Sequence, residues 1–188
     1  MKLHLGCFDK KLPDFVNVDI REDVNPDVVD DAFTLKKFEN NSADLIYTCH
    51  MLEHLNYEQV KEALKRWYEV LKPSGILRIA VPDFEALCKR YIYTGNIQEV
   101  KHSVSGSQKH DFDYHYNIFD EQSLTQQLED IGFEDVHRYD WWKTEHSHVD
   151  DFSHAYLPSD TPDIALSHGR LLEGKSMLIS LNVEGRKP

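Results

Sequence analysis

Residues 3–20, LHLGCFDKKLPDFVNVDI, decide how this chain is read. Two short runs, 3–5 and 16–20, flank a glycine turn and carry the apolar and β-branched content of strands. Gly6 ends the first, where backbone must pass close to a ligand or take angles closed to other residues. Asp19 ends the second, where a carboxylate can accept hydrogen bonds from both hydroxyls of a ribose. A Gly and an Asp at strand ends serve turn geometry equally well, so this pair alone leaves both readings open. The ten residues between Leu5 and Val16 include Pro13 and are barely enough for a crossover, so any first helix is expected to be vestigial.

Working outward, residues 27–31 suit a third short strand and ADLIYTC, 43–49, a buried fourth. Asn56 can cap a helix with Gln59 completing a capping box, and Val60, Leu64, Trp67 and Leu71 recur at helical spacing until Pro73 and Gly75. GILRIAVPD, 75–83, is a continuous apolar run that suits a strand buried on both faces. Asp83 can cap a helix reaching about residue 93. Asp120 opens another, with Leu124, Leu128 and Ile131 on one face and Gly132 at its end. Strands are expected at 134–139 and 176–183. This alternation predicts an α/β fold with a mostly parallel sheet, its ligand at the carboxyl ends of the strands near a topological switch point. Segments 102–119 and 141–174 break the alternation, and loops in such positions carry function, so these two are expected to supply the acceptor contacts and the lid.

At 188 residues and 40% hydrophobic content the chain can bury one substantial core, so a single domain spanning 1–188 is expected. Acidic side chains outnumber basic ones 33 to 21, a net charge of −12, and no basic run offers a footprint for nucleic acid. No apolar run approaches the roughly 20 residues that span a bilayer, so no membrane insertion is expected. The HLGC near the start has no apolar stretch before it to act as a secretory signal. Cys7, Cys49 and Cys88 are too few and too widely spaced for a disulfide framework or a structural zinc motif. A cytoplasmic location is expected, and association with further copies of the chain stays open.

Taken with DDAFTL (30–35), ADLIYTCHMLEHL (43–55) and EVLKPSGILRIAVPD (69–83), the opening stretch resembles the class I S-adenosylmethionine-dependent methyltransferases. It is most similar to their type 11-like branch associated with surface-polysaccharide biosynthesis, over residues 3–83 and more faintly over HYNIFDEQSLTQQLEDIGFEDV. The resemblance implies a Rossmann-like, three-layer sheet with an antiparallel last strand and S-adenosylmethionine as cofactor. It implies that Gly6, Cys7 and Phe8 pass the methionine part, that Asp19 binds the ribose, that Asp31 and Ala32 flank the adenine, and that His50 and Leu52 meet cofactor and acceptor. Phe8 departs from the glycine usual there, and a bulky side chain tolerates fewer backbone angles.

Methyl transfer from a sulfonium is a direct displacement in which alignment dominates, and a hydroxyl acceptor gains from a base. His50, closing a central strand, is the first candidate base and His115 the second, with structural roles as the competing reading of each. Asp83, Tyr114, Trp141, Trp142 and His146 are the candidate acceptor contacts. For Asp83 the alternative is a helix cap, and for the tryptophans a packed loop. The histidines and aspartates of 146–154 match no strong metal motif, so no metal site is expected. The expected activity is O-methylation of a small polar molecule or glycan precursor. The rival classes are an inactive binding module of the same fold, for which Phe8 speaks, and a metal-dependent hydrolase.

Overall fold

The computed structural model describes residues 1–155 and 178–188. Seven strands form one sheet: β1 (Lys2–Leu5), β2 (Val16–Asp19), β3 (Val28–Val29), β4 (Ala43–Cys49), β5 (Leu71–Pro82), β6 (Glu134–Arg138) and β7 (Ser180–Arg186). Their order is β3-β2-β1-β4-β5-β7-β6, with β7 antiparallel to both neighbours and the other pairings parallel. The chain winds leftward from β1 and rightward from β4, so the switch point lies between these two strands. The expected strand at 176–183 begins outside the described residues; its described part runs from Ser180.

The α-helices among the described residues are α1 (Tyr57–Val70), α2 (Phe84–Thr94), the short α3 (Lys101–Ser105) and α4 (Glu121–Ile131). α1 starts as predicted: the Asn56 side chain accepts from the Gln59 N–H while Gln59 caps Asn56 in return, each at 3.0 Å. α2 and α4 are capped by Asp83 and Asp120, and α4 ends on a left-handed Gly132. β5 starts earlier than expected, at Leu71, directly after α1. Leu71 pairs with Ala43, and a register shift before the Leu45–Ile76 pair absorbs the residues around Pro73.

No α-helix lies between β1 and β4, so the two faces of the sheet are covered differently. On one, Leu3, Leu5, Val18 and Ile46 pack with α1 (Val60, Leu64, Trp67) and α4 (Leu124, Leu128) in the main core. On the other, a smaller cluster of Leu12, Phe15, Leu45, Tyr47 and Tyr139 is joined by Trp141 and Val149, so irregular chain stands where a helix would. Polar bonds fix that cover: the Tyr47 hydroxyl donates to Asp151 Oδ2 (2.5 Å), and Asn182 Nδ2 donates to the Ser153 carbonyl (2.7 Å). Among the described residues no helix is long and apolar enough to cross a membrane.

Candidate functional site

The parallel register of β1 with β2 and β4 brings Gly6, Asp19 and His50 to the same edge of the sheet. Gly6 has φ 67°, and a Cβ there would stand 2.5 Å from Met51 Cγ, so only glycine lets the chain turn under Met51. Phe8 has φ 45°, the left-handed region, and its N–H donates to Asp19 Oδ2 at 2.9 Å. The Arg21 N–H donates to Asp19 Oδ1, also at 2.9 Å. Phe8 thus follows a path a glycine would take. The strain, about 1–2 kcal/mol, is opposed by the Arg21 guanidinium lying 5.3 Å from the Phe8 ring centroid. The departure noted in the sequence therefore leaves the turn after β1 hydrogen-bonded to Asp19.

Each Asp19 oxygen takes one backbone N–H and keeps acceptor capacity, which is the chemistry a ribose diol needs. The third turn is equally fixed. Asp31 Oδ1 accepts from the Phe33 N–H (2.9 Å), and Trp67 Nε1 donates to the Ala32 carbonyl (2.8 Å). The Cys7 thiol is buried and pushed up to about 12 by that burial, so it stays protonated and inert. These residues fit S-adenosylmethionine: a close-passing backbone at β1, a buried carboxylate at β2 and a rigid polar turn after β3.

His50 closes β4 with φ 51°, its own N–H still on the ladder to the Ala80 carbonyl at 2.8 Å. Left-handed backbone at a β4 end is the kind of strain that gathers at functional sites. Its Nδ1 lies 3.2 Å from Glu53 Oε1, its Nε2 3.4 Å from the Ser180 hydroxyl, and its ring 6.1 Å from that of exposed Phe152. Glu53 is wholly buried. Burial alone would raise its pKa, but His50, His54 and His115 together hold it below the ordinary carboxylate value. His115 is itself held below the usual imidazole value by burial, against the pull of Glu53. Segment 102–119 reaches this corner: the Tyr116 and Asn117 N–H groups donate to the Glu53 carbonyl (2.8 and 3.2 Å), and Asn117 Nδ2 donates to the Leu55 carbonyl (2.5 Å).

Several expected site residues sit elsewhere. Leu52 is wholly buried in the main core and can offer a ligand only its backbone. Asp83 is wholly buried, caps α2 by accepting from the Ala86 N–H (3.3 Å) and pairs with Arg138 Nη2 at 2.9 Å, so the capping alternative describes it rather than acceptor binding. His146 is buried against Tyr47 (4.2 Å between ring centroids) and Phe15 (5.7 Å), closed to an acceptor. Trp141 packs on the second cluster with one face stacked on His154 at 4.5 Å, and Trp142 meets it edge-on at 5.7 Å. Tyr114 does remain exposed, beside Tyr116. The reading missed Glu53, Phe152 and Ser180. Only Glu53 left a sequence signal, as the acid of the LEH block between two histidines.

Residues 5–138 match the family described as a methyltransferase domain. The chain belongs to that family. Among solved structures, a SAM-dependent methyltransferase from Archaeoglobus fulgidus is 18% identical with a TM-score of 0.61, covering 99% of this chain and 85% of that one. One from Methanosarcina mazei is 14% identical (TM-score 0.58, 99% and 91%), and one from Thermotoga maritima 15% (0.58, 100% and 82%). At such identities the likeness is one of fold. No curated protein matches by sequence. The protein is thus an S-adenosylmethionine-dependent methyltransferase with a Rossmann-like sheet.

Proposed function

We propose that this methyltransferase is a single-domain cytoplasmic enzyme of the type 11-like branch, and that it methylates oxygen on a small polar acceptor of the surface-glycan precursor kind. The cofactor supplies an electrophilic methyl group. Gly6, Cys7 and Phe8 would present backbone to its methionine part, Asp19 would take the ribose hydroxyls on its remaining lone pairs, and Asp31 with Ala32 would border the adenine.

The observation that carries the reading is the His50–Glu53 pair at the end of β4, one strand from Gly6. A buried carboxylate 3.2 Å from Nδ1 favours the proton on that nitrogen and leaves Nε2 to accept one from an acceptor hydroxyl. Exposed Phe152, Tyr114 and Tyr116 supply flat apolar surface suited to a sugar ring. His115 donates from Nδ1 to the Ser103 carbonyl and turns Nε2 towards Glu53, which leaves His50 as the base.

The test is methyl transfer from labelled S-adenosylmethionine to a panel of monosaccharides and nucleotide sugars. His50→Ala is expected to lower turnover about 10²–10⁴-fold while S-adenosylhomocysteine binding, followed by calorimetry, stays near wild type. Near-full turnover by His50→Gln, whose amide can replace a hydrogen bond but not a base, would remove His50 from that role.

A further inference from the structure

Glu53 is the most constrained ionisable side chain in the site, and His50 alone does not account for it. Its side chain is 1% exposed, and neither carboxylate oxygen receives a well-aligned hydrogen bond from a described residue. The His50 Nδ1 is near Oε1 but off the line of such a bond. A buried carboxylate left in this state is costly unless a cation meets it.

Two further imidazoles converge on it. His54 Nδ1 lies 3.0 Å from the Tyr114 carbonyl and His115 Nδ1 3.0 Å from the Ser103 carbonyl. A carbonyl can only accept, so Nδ1 carries a proton in each ring, and in the neutral imidazole the lone pair a metal needs then falls on Nε2. A backbone carbonyl fixing the far nitrogen is the usual support of a metal-binding histidine. The two rings meet edge to face, 4.7 Å between centroids. His115 Nε2 stands 4.0 Å from Glu53 Oε1, too far for a hydrogen bond and close enough for two atoms to close on a shared ion. One donor atom from each of Glu53, His54 and His115 falls within a 4.8 Å span.

We propose that Glu53, His54 and His115 bind a divalent transition-metal cation beside His50. Two neutral imidazoles and one carboxylate suit zinc, cobalt or manganese rather than magnesium or calcium, which favour oxygen ligands throughout. Three protein ligands leave coordination positions open, as in sites where a metal binds a reacting oxygen. The cation's use in catalysis rests on the O-methylation reading: an acceptor hydroxyl coordinated there would yield its proton to His50 Nε2 more readily. The binding site itself does not depend on that reading. Sequence spacing hides it, because His115 arrives from a segment that docks on the β4–α1 turn through main-chain bonds.

The experiment uses the full chain without a histidine tag, stripped with EDTA and titrated with Co²⁺ under visible absorption, then with Zn²⁺ in competition. One equivalent of Co²⁺ is expected, displaced by Zn²⁺. His54→Ala, His115→Ala and Glu53→Gln are each expected to weaken binding by about 100-fold or more, since changes even behind the ligands cost about 10–100-fold. Melting curves and S-adenosylhomocysteine binding check the fold; if Glu53→Gln fails to fold, the two histidine variants decide. His148→Ala, in the exposed part of the histidine-rich segment, is expected to leave binding unchanged. No saturable band up to about 1 mM Co²⁺ would overturn the site. So would wild-type affinity in folded His54→Ala and His115→Ala, or loss of the band in His148→Ala alone. Turnover is not read, so a failure of the base assignment to His50 is seen separately.

Discussion

His50 and His146 are the same residue put to opposite uses by their surroundings. His50 ends a strand with its ring part-exposed against a carboxylate. His146 lies under the second face of the sheet, 2% exposed, and its Nδ1 has no hydrogen-bond partner among the described residues. Burial lowers its pKa to about 4, with Asp151 and Glu145 pulling it up and Arg78 and His4 pushing it further down. The unfolded histidine, with a pKa near 6.5, therefore binds a proton between about pH 4 and 6.5 that the folded one refuses. Stability should be full above pH 6.5 and fall as pH drops towards 4, by a limit on the order of 3 kcal/mol for this group. Urea melts of wild type and His146→Phe at pH 4.5 and 7 would measure it. The variant should lose much of the wild-type difference, with buried His4, also depressed, supplying a remainder. An identical difference in both proteins would assign the slope elsewhere. Nothing in WWKTEHSHVDD marks which histidine is buried, because adjacent loop residues carry no periodicity that sorts inside from outside.

At the scale of elements the sequence was far more informative, for the same reason: helices and strands repeat, and caps are local. The Asn56–Gln59 box and the apolar row of α1 were readable because both the cap and the buried face are set within a few turns of chain. The start of β5 was not, since Pro73 and Gly75 read as breaks while the pairing of Leu71 with Ala43 depends on a distant strand. Asp83 shows the same limit. Its cap on α2 is local and was foreseen as an alternative, whereas its partner Arg138 comes from the end of β6, with β7 between the two strands. Burial raises the Asp83 pKa in spite of that arginine, so the carboxylate relies on its partner. Arg138→Met would leave a buried charge without compensation, at a cost of about 3–5 kcal/mol. Melting should fall by about 10 °C in a chain of this size. Adding Asp83→Asn should recover much of the loss, since both charges then leave together. A single variant melting like wild type would mean the pair holds nothing in place.

Over the whole molecule, the two segments that broke the strand–helix alternation take different work. Described residues of the second, 141–155, cover the sheet face on which no described helix packs, bolted there by Tyr47–Asp151, Asn182–Ser153 and the Arg78–Glu145 ion pair at 2.9 Å. Phe152 brings this cover to His50, and the rest of the expected lid, 156–174, lies outside the described residues. The first segment, 102–119, is held at its start by α3 packing on α2 and at its end by the main chain of Glu53 and Leu55 and by buried Phe119, whose carbonyl accepts the Phe84 N–H, while residues 107–113 bond chiefly to one another through Ser107, Gln108, Lys109 and Asp113. A self-supported tip between two anchored ends opens at little cost, and ordering it over a ligand would slow its exchange with solvent. Hydrogen exchange with and without S-adenosylhomocysteine should therefore slow by about tenfold or more across 103–117 and stay unchanged across 141–151, whose bonds are already made. The reverse pattern would place closure on the back-face cover and leave 102–119 as a fixed wall of the site.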